Sequence, residues 1–364
     1  MSKSRGVPPG PFASRIEAVR TELSRRKADG YLVQDRFDQI WLTGFTGEDG
    51  LVLVTPRDVV LLTDSRFDEA AEAEAPWASR VLRQKRGPEA TAKALKRARL
   101  KRVAFNPQHM SVAVFADLQK LARPAHVVAA GGVISSLRVR KDADEVRRIR
   151  NAIRIAERAY NDLRAWLRPG MTERQVAARL VYEMQVLGAQ AGAFPPIVAV
   201  GANASMPHYE SGDAVVNARE PVLIDWGARA GWYVSDLTRT LALGSIAPEL
   251  SAVHAIVREA HNRAIAAVRP GVRASAVDKV ARDHIAHAGY GERFQHGLGH
   301  GIGLNVHEAP SVRRQVPDRL EPGMVITIEP GIYLPGVGGV RIEDDVLVTE
   351  TGYEILSSLP TELR

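Results

Sequence analysis

The feature that most limits how this 364-residue chain can fold is a faint internal duplication in its second half. Arg168-Pro169-Gly170 opens one amphipathic segment, and Arg269-Pro270-Gly271 opens another 101 residues later. The first carries Val176, Leu180 and Met184 at helical spacing and ends near Gly188. The second carries Val277, Val280 and Ile285 and ends near Gly289. Thr172-x-x-Gln175 has the pattern of a capping box and starts the first of these helices. After each helix come a histidine-bearing loop and strand-like segments that carry carboxylates. A repeat of this length predicts two similar α+β halves facing each other, not a short-period solenoid.

The first half has a different rhythm. Apolar residues at helical spacing mark a helix over 15–27, YLVQ at 31–34 reads as a buried strand, and Thr55-Pro56-Arg57-Asp58 joins strands 51–54 and 59–63 into a hairpin. Helical segments at 66–75 and 88–99 precede a strand at 102–105. This alternation predicts an α/β domain. A long charged helix from Asp142 to Trp166 then leads into the duplicated half, so the domains are expected at 1–137 and 138–364. Residues 1–12 are a Pro/Gly-rich lead-in, expected to be mobile.

Composition removes several classes of function. With no cysteine there is no disulfide, thiolate ligand or cysteine nucleophile. No apolar run reaches 18 residues, so no helix is expected to span a membrane. The N-terminus has no apolar signal core, which predicts a cytoplasmic protein. A formal charge of +7 raises the question of nucleic acid, but 49 basic residues are interleaved with 42 acidic ones, and the densest basic stretch, 93–102, reads as a solvated helix face. No nucleic-acid partner is expected.

The chemistry is concentrated in four short segments. In the first, the apolar run Val222-Leu223-Ile224 ends in Asp225, and a second strand carries Asp236. A buried aspartate must be ion-paired, hydrogen-bonded or metal-bound, and Arg239 across the hairpin is one candidate partner. The second, His296 to Glu308, packs four glycines and three histidines into a dozen or so residues, which is not core composition. In the third, Met324 to Ile328 leads into Glu329 and a Pro-Gly turn. In the fourth, alternation places Arg341, Glu343 and Asp345 on one strand face, and Asp344-Asp345 reads as a solvated strand end. The histidines at 254, 261, 284 and 287 lie on helical patterns and read as structural or surface groups. Four strand-borne carboxylates gathered in a core need several positive charges. Two divalent cations supply four, and oxygen-rich ligands with one imidazole suit Mn²⁺, Zn²⁺ or Co²⁺.

These segments resemble the pita-bread metallopeptidases, the group that includes aminopeptidase P, prolidase, methionine aminopeptidase and the metal-free creatinase. The likeness runs over roughly residues 140–358. Gly44-Phe45-Thr46-Gly47 and Thr63-Asp64-Ser65-Arg66-Phe67 also resemble the N-terminal domain of aminopeptidase P and prolidase. The resemblance implies a creatinase-like α/β domain followed by an α+β pita-bread domain with an internal pseudo-twofold. It implies that Asp225 chelates one metal, that Asp236 and Glu343 bridge two, and that His300 and Glu329 complete the second, with Mn²⁺ the first expectation. It also implies that Glu329 moves the proton, that His208 and His307 contact the substrate's reacting end, and that His296, Tyr333 and Arg341 form or flank a proline pocket. The expected substrate is a peptide with proline second, cleaved in the manner of aminopeptidase P. Prolidase is the alternative, and a non-catalytic binding module on the same fold a remote one. A homodimer is expected from the resemblance.

Overall fold

The structure is a computed structural model that describes residues 8–84 and 87–363. The chain divides into two compact units, Met1–Leu137 and Arg138–Arg364. The first seven residues of the expected lead-in lie outside the described residues, and Pro11 already begins a helix.

The first unit runs α1 (Pro11–Arg25), β1 (Gly30–Val33), α2 (Arg36–Thr43), β2 (Gly50–Val54), β3 (Val59–Thr63), α3 (Asp68–Glu74), β4 (Ser79–Leu82), α4 (Gly87–Arg97), β5 (Arg102–Phe105), α5 (Val112–Leu121), β6 (His126–Ala129) and α6 (Ser135–Arg138). The strands form one six-stranded sheet in the order β4-β3-β2-β1-β5-β6. β2 pairs antiparallel with β1 and β3, while β1–β5, β5–β6 and β3–β4 are parallel. Leu32, Leu53, Leu62, Leu95, Val103 and Val127 build its core. α2 has no counterpart in the sequence reading. Asp35 caps it by accepting from the Asp38 N–H at 2.8 Å, and Gly44 ends it at φ 78°, a conformation that favours glycine.

The second unit shows the duplication directly. α7 (Ala143–Trp166) and α8 (Glu173–Val186) pack together in the first half, and α9 (Pro248–Ala267) and α10 (Ala274–His287) in the second. Both ends of α8 and α10 are offset by 101 residues, as are the C-terminal ends of α7 and α9. The second helix of each pair follows a glycine with positive φ, 95° at Gly170 and 83° at Gly271. The capping box on α8 forms, with Thr172 and Gln175 exchanging hydrogen bonds.

Each helix pair backs onto an antiparallel sheet. The first half contributes β7 (Ala191–Gly192), β8 (Ile197–Val200), β9 (Pro221–Trp226), β10 (Ala228–Ala230), β11 (Tyr233–Val234) and β12 (Leu237–Ala242), with β12-β9-β8 as its central sheet. The second contributes β13 (Gly299–Gly301), β14 (Glu308–Val312), β15 (Val325–Ile328), β16 (Gly331–Leu334), β17 (Gly338–Arg341), β18 (Asp344–Val348) and β19 (Tyr353–Ile355), with the order β14-β13-β15-β18-β19 and a separate β16-β17 hairpin. Ala156, Val176, Leu180 and Ile224 belong to one apolar core, and Val257, Val277, Ala281 and Ile326 to the other. In the first half Tyr160 stacks on Trp226 with centroids 4.5 Å apart, a pairing that adds about 1 kcal/mol beyond burial. Residues 138–364 thus have the pita-bread architecture, two α+β halves related by a pseudo-twofold.

The segment 338–348 is not one strand. β17 pairs with β16 and β18 with β15, and between them Glu343 pairs with Thr238 of the other half. At that bridge the two half-sheets meet.

Candidate metal centre

The ligand-type side chains sit at strand ends along this seam. Asp225 is near the end of β9, Asp236 precedes β12, Glu329 follows β15, Glu343 precedes β18, and His300 lies in the short strand β13. Register decides which carboxylate meets which cation. Thr238 lies opposite Asp225, so Arg239 falls opposite Ile224 and points away from Asp225. The pairing of Asp225 with Arg239 across the hairpin therefore does not form. Arg239 is buried on the other face, where it donates to Asp344 at 2.6 Å and to the carbonyls of Glu343, Thr238, Leu359 and Pro360.

On the near face, Asp236, His300 and Glu343 each offer a donor atom within 4.8 Å of the other two. His300 Nε2 is 3.5 Å from Glu329 Oε1 and 3.7 Å from Asp236 Oδ2. Thr238 Oγ1 donates to Glu343 Oε2 at 2.6 Å, and Thr327 Oγ1 accepts from the His300 N–H at 3.1 Å. The guanidinium of Arg341 donates to Asp225 Oδ2 at 2.6 Å, to the Tyr333 hydroxyl at 2.9 Å and to Thr238 Oγ1 at 3.1 Å.

The charge count is one-sided. Burial raises the proton affinity of Asp225, and Arg341 only partly offsets it. Asp236 is pushed well above the usual carboxylate range by burial and then by the charges of Glu343, Asp225, Asp345 and Glu329. Glu329 is raised in the same way by burial and Glu343, and Glu343 is pushed up to about 8 by burial and Asp225. Burial lowers His300 to about 4, with help from His307, so its imidazole is neutral and can serve as a ligand. The second oxygen of Asp225, Oδ1, is buried without a hydrogen-bond partner among the described residues. A donor set with uncompensated negative charge, a neutral imidazole and an orphaned carboxylate oxygen fits hard or borderline divalent cations.

Asp344 and Asp345 depart from the sequence reading: both are buried, at 4% and 0% exposure, not solvated. The start of β18 is covered on both faces: Arg239 and His261 of α9 close over Asp344, and the backbone at Asp236 closes over Asp345. The alternation itself holds. Asp345 turns toward the ligands and accepts from the Asp236 N–H at 3.1 Å, whereas Asp344 turns away to Arg239, to His261 at 3.1 Å and to Ser357.

The ligands form one side of a cavity of about 520 Å³, with His208, His296, His307 and Arg341 also on its wall. The His300 and His307 rings are 4.2 Å apart. Tyr333 is not among the residues lining this cavity. Its hydroxyl lies 2.8 Å from His296 Nε2 and accepts from Arg341, so it supports both from behind. His296 Nδ1 is 2.7 Å from the Gly297 carbonyl, which requires its proton there and leaves Nε2 to accept from Tyr333. Phe194, Ile197 and Arg313 also line the wall. No periodic pattern in 193–197 marks the first two, and Arg313 is one of two adjacent arginines whose placement follows only from β14.

Comparison with known proteins gives two family matches: metallopeptidase family M24 over residues 147–350 and the creatinase/prolidase N-terminal domain over 15–140. An Xaa-Pro dipeptidase of Pyrococcus horikoshii is 40% identical over 247 residues, which is 68% of this chain and 70% of that protein. Among solved structures, an Xaa-Pro dipeptidase from Bacillus anthracis is 34% identical with a TM-score of 0.94, covering 97% of this chain and 99% of the other. An X-Pro aminopeptidase from Thermotoga maritima is 35% identical with a TM-score of 0.88, covering 94% and 99%.

Proposed function

The chain belongs to metallopeptidase family M24, and on that premise we propose that it hydrolyses Xaa-Pro bonds with two divalent cations. Asp225 would hold one cation, Asp236 and Glu343 would bridge the pair, and His300 with Glu329 would complete the second. The observation that carries this reading is the convergence of these five donors with Asp225 Oδ1 buried and unpartnered. Manganese is the first candidate, with zinc or cobalt as alternatives.

Bound there, the cations supply Lewis acidity to the scissile carbonyl and to the water that attacks it. The chain's own groups handle position and protons. Glu329, on the cavity wall beside His300, takes a proton from the attacking water and passes it to the leaving proline nitrogen as the C–N bond breaks. His307 lines the cavity beside His300, and burial keeps it neutral, so it can donate an N–H to the carbonyl oxygen as negative charge develops. His208 contacts the substrate across the cavity. An Xaa-Pro amide has no N–H to offer a backbone-gripping site, so selection falls to the shape of the pocket at His296 and Arg341.

For substrate length, Arg313 supports dipeptides over longer peptides. It lines the cavity, is exposed, and has no ion pair among the described residues, so it is placed to receive a free proline carboxylate. The dipeptidase names of the Pyrococcus and Bacillus anthracis relatives support this reading, whereas the Thermotoga neighbour's name supports the aminopeptidase reading. The test compares Ala-Pro, Ala-Pro-Ala and Ala-Ala on the metal-loaded protein. Ala-Pro is expected to be the best substrate, and Arg313→Ala to erase its advantage over Ala-Pro-Ala. Equal rates on Ala-Pro and Ala-Ala would overturn the proline reading. No described helix is long and apolar enough to cross a membrane. Cytoplasmic placement and a homodimer belong to this proposal, the dimer being checked by sedimentation.

A further inference from the structure

Three histidines on the cavity wall sit on loops, and each loop is fastened by a buried carboxylate that is not itself among the residues lining the cavity. Behind His296, Asp278 accepts from the Leu298 N–H at 3.2 Å and pairs with Arg282, which in turn donates to the His296 carbonyl. Behind His307, Glu308 accepts from the Leu304 and Asn305 N–H groups at 3.0 Å and pairs with Arg138 and Lys141. Behind His208, the carboxylate is Glu173, the first residue of α8, and it differs from the other two.

Glu173 is fully buried, with no arginine, lysine or histidine in ion-pairing range among the described residues. It is compensated by neutral donors and by its place at a helix N-terminus. Oε1 accepts from the Val200 N–H at 2.7 Å and from Asn203 Nδ2 at 2.9 Å. Oε2 accepts from the Tyr209 hydroxyl at 2.8 Å and from the Gly212 N–H at 3.0 Å. The four donors bracket His208 on both sides. Backbone bonds reinforce the attachment, with the Glu173 N–H on the Ala214 carbonyl and the Arg174 N–H on the Gly212 carbonyl. The His208 side chain is exposed and has no hydrogen bond of its own among the described residues, so its place in the cavity follows from the loop's attachment.

We propose that Glu173 is a positioning residue for His208, holding the 200–212 loop so that the imidazole faces the substrate. This rests on the reading of His208 as a substrate contact. Glu173→Gln is the sharpest variant, because its amide puts an N–H where the carboxylate accepted from Gly212 or Tyr209. Backbone hydrogen exchange across 200–212 should speed up while α9 and α10 keep their protection and metal content is unchanged. Hydrolysis of Ala-Pro, as kcat/KM, should fall roughly 10- to 100-fold, the scale of a displaced contact. Adding Glu173→Gln to His208→Ala should cost no more than His208→Ala alone, which a general loss of stability would not reproduce. Tyr209→Phe removes one tie and should move the same readouts in the same direction by less, and it carries the test if Glu173→Gln does not fold. An impaired His208→Ala beside fully active Glu173→Gln or Tyr209→Phe proteins would overturn the inference while leaving the reading of His208 intact, as would additive losses. A fully active His208→Ala would overturn both.

Discussion

Glu343 and Asp344 are neighbours in sequence, both buried, and they face opposite environments. Asp344 meets Arg239, His261 and Ser357. Burial pushes its proton affinity up, but Arg239 and His261 outweigh that and hold it below the usual carboxylate range. Glu343 faces Asp225, Asp236 and Glu329, and the Arg341 charge and then the Thr238 hydroxyl offset them only in part. Its proton affinity is raised to about 8. The fold has thus satisfied one buried acid with Arg239 and hydrogen-bonding neighbours and left its neighbour's cluster short of positive charge. Arg341 reaches only Asp225 among the ligands at hydrogen-bonding distance. A protein gains nothing in stability from crowding acids in this way, and the imbalance is evidence for ions that bind the folded state.

Substitution on the two sides of this pair should therefore fail in different ways. The largest effect is expected from Asp236→Ala or Glu343→Ala, which should reduce Ala-Pro hydrolysis by roughly 10³-fold or more while the circular dichroism spectrum stays native. Asp344→Asn leaves the ligands in place but strips a buried partner from Arg239 and His261. It should cost about 3–5 kcal/mol in denaturant unfolding, with or without metal.

The pH dependence of stability sharpens the contrast. Glu343 has a folded-state pKa raised from 4.5 to about 8, so between those values the folded metal-free protein binds more protons than the unfolded chain. The melting temperature of chelator-treated protein should accordingly fall as pH rises through that window, and saturating metal should remove the trend. Asp344 works in the opposite sense: its contribution is present above the ordinary aspartate range and is lost on acidification, and Asp344→Asn should flatten that acid limb. The smallest effect is the most counterintuitive. Above about pH 8, where Glu343 is ionised, Glu343→Gln keeps an acceptor for Thr238 and removes a buried charge. The chelated variant should melt above the chelated parent there, by roughly 2–4 °C for each kcal/mol of repulsion relieved, and the gain should vanish below about pH 8.

The sequence carried much of this because the signals were local. An apolar strand that ends in a carboxylate is legible at Asp225 and Glu329, and glycines crowded around histidines are legible at 296–308. The offset of 101 residues was legible because helix starts and stops are marked by caps and glycines. What could not be read was what depends on register and layer. Arg239 and Asp225 look like partners in a hairpin until Thr238 takes the facing position. Asp344 and Asp345 look like a solvated strand end until Arg239, His261 and the start of β12 close over the two faces of their strand. Arg341 and Tyr333 are eight residues apart across the β16-β17 hairpin, and only its register brings the guanidinium to the phenol. Glu173 carries no signal of its role in the sequence. Its four donors lie 27 to 39 residues away, in a loop without periodicity.

Metal stoichiometry tests the central claim most directly. Chelator-stripped protein titrated with Mn²⁺ and followed by calorimetry, with elemental analysis of the product, should take up two ions per chain. Asp236→Ala and Glu343→Ala should lose that uptake while remaining folded. Parent protein that binds no divalent ion, or variants that bind as the parent does, would contradict it.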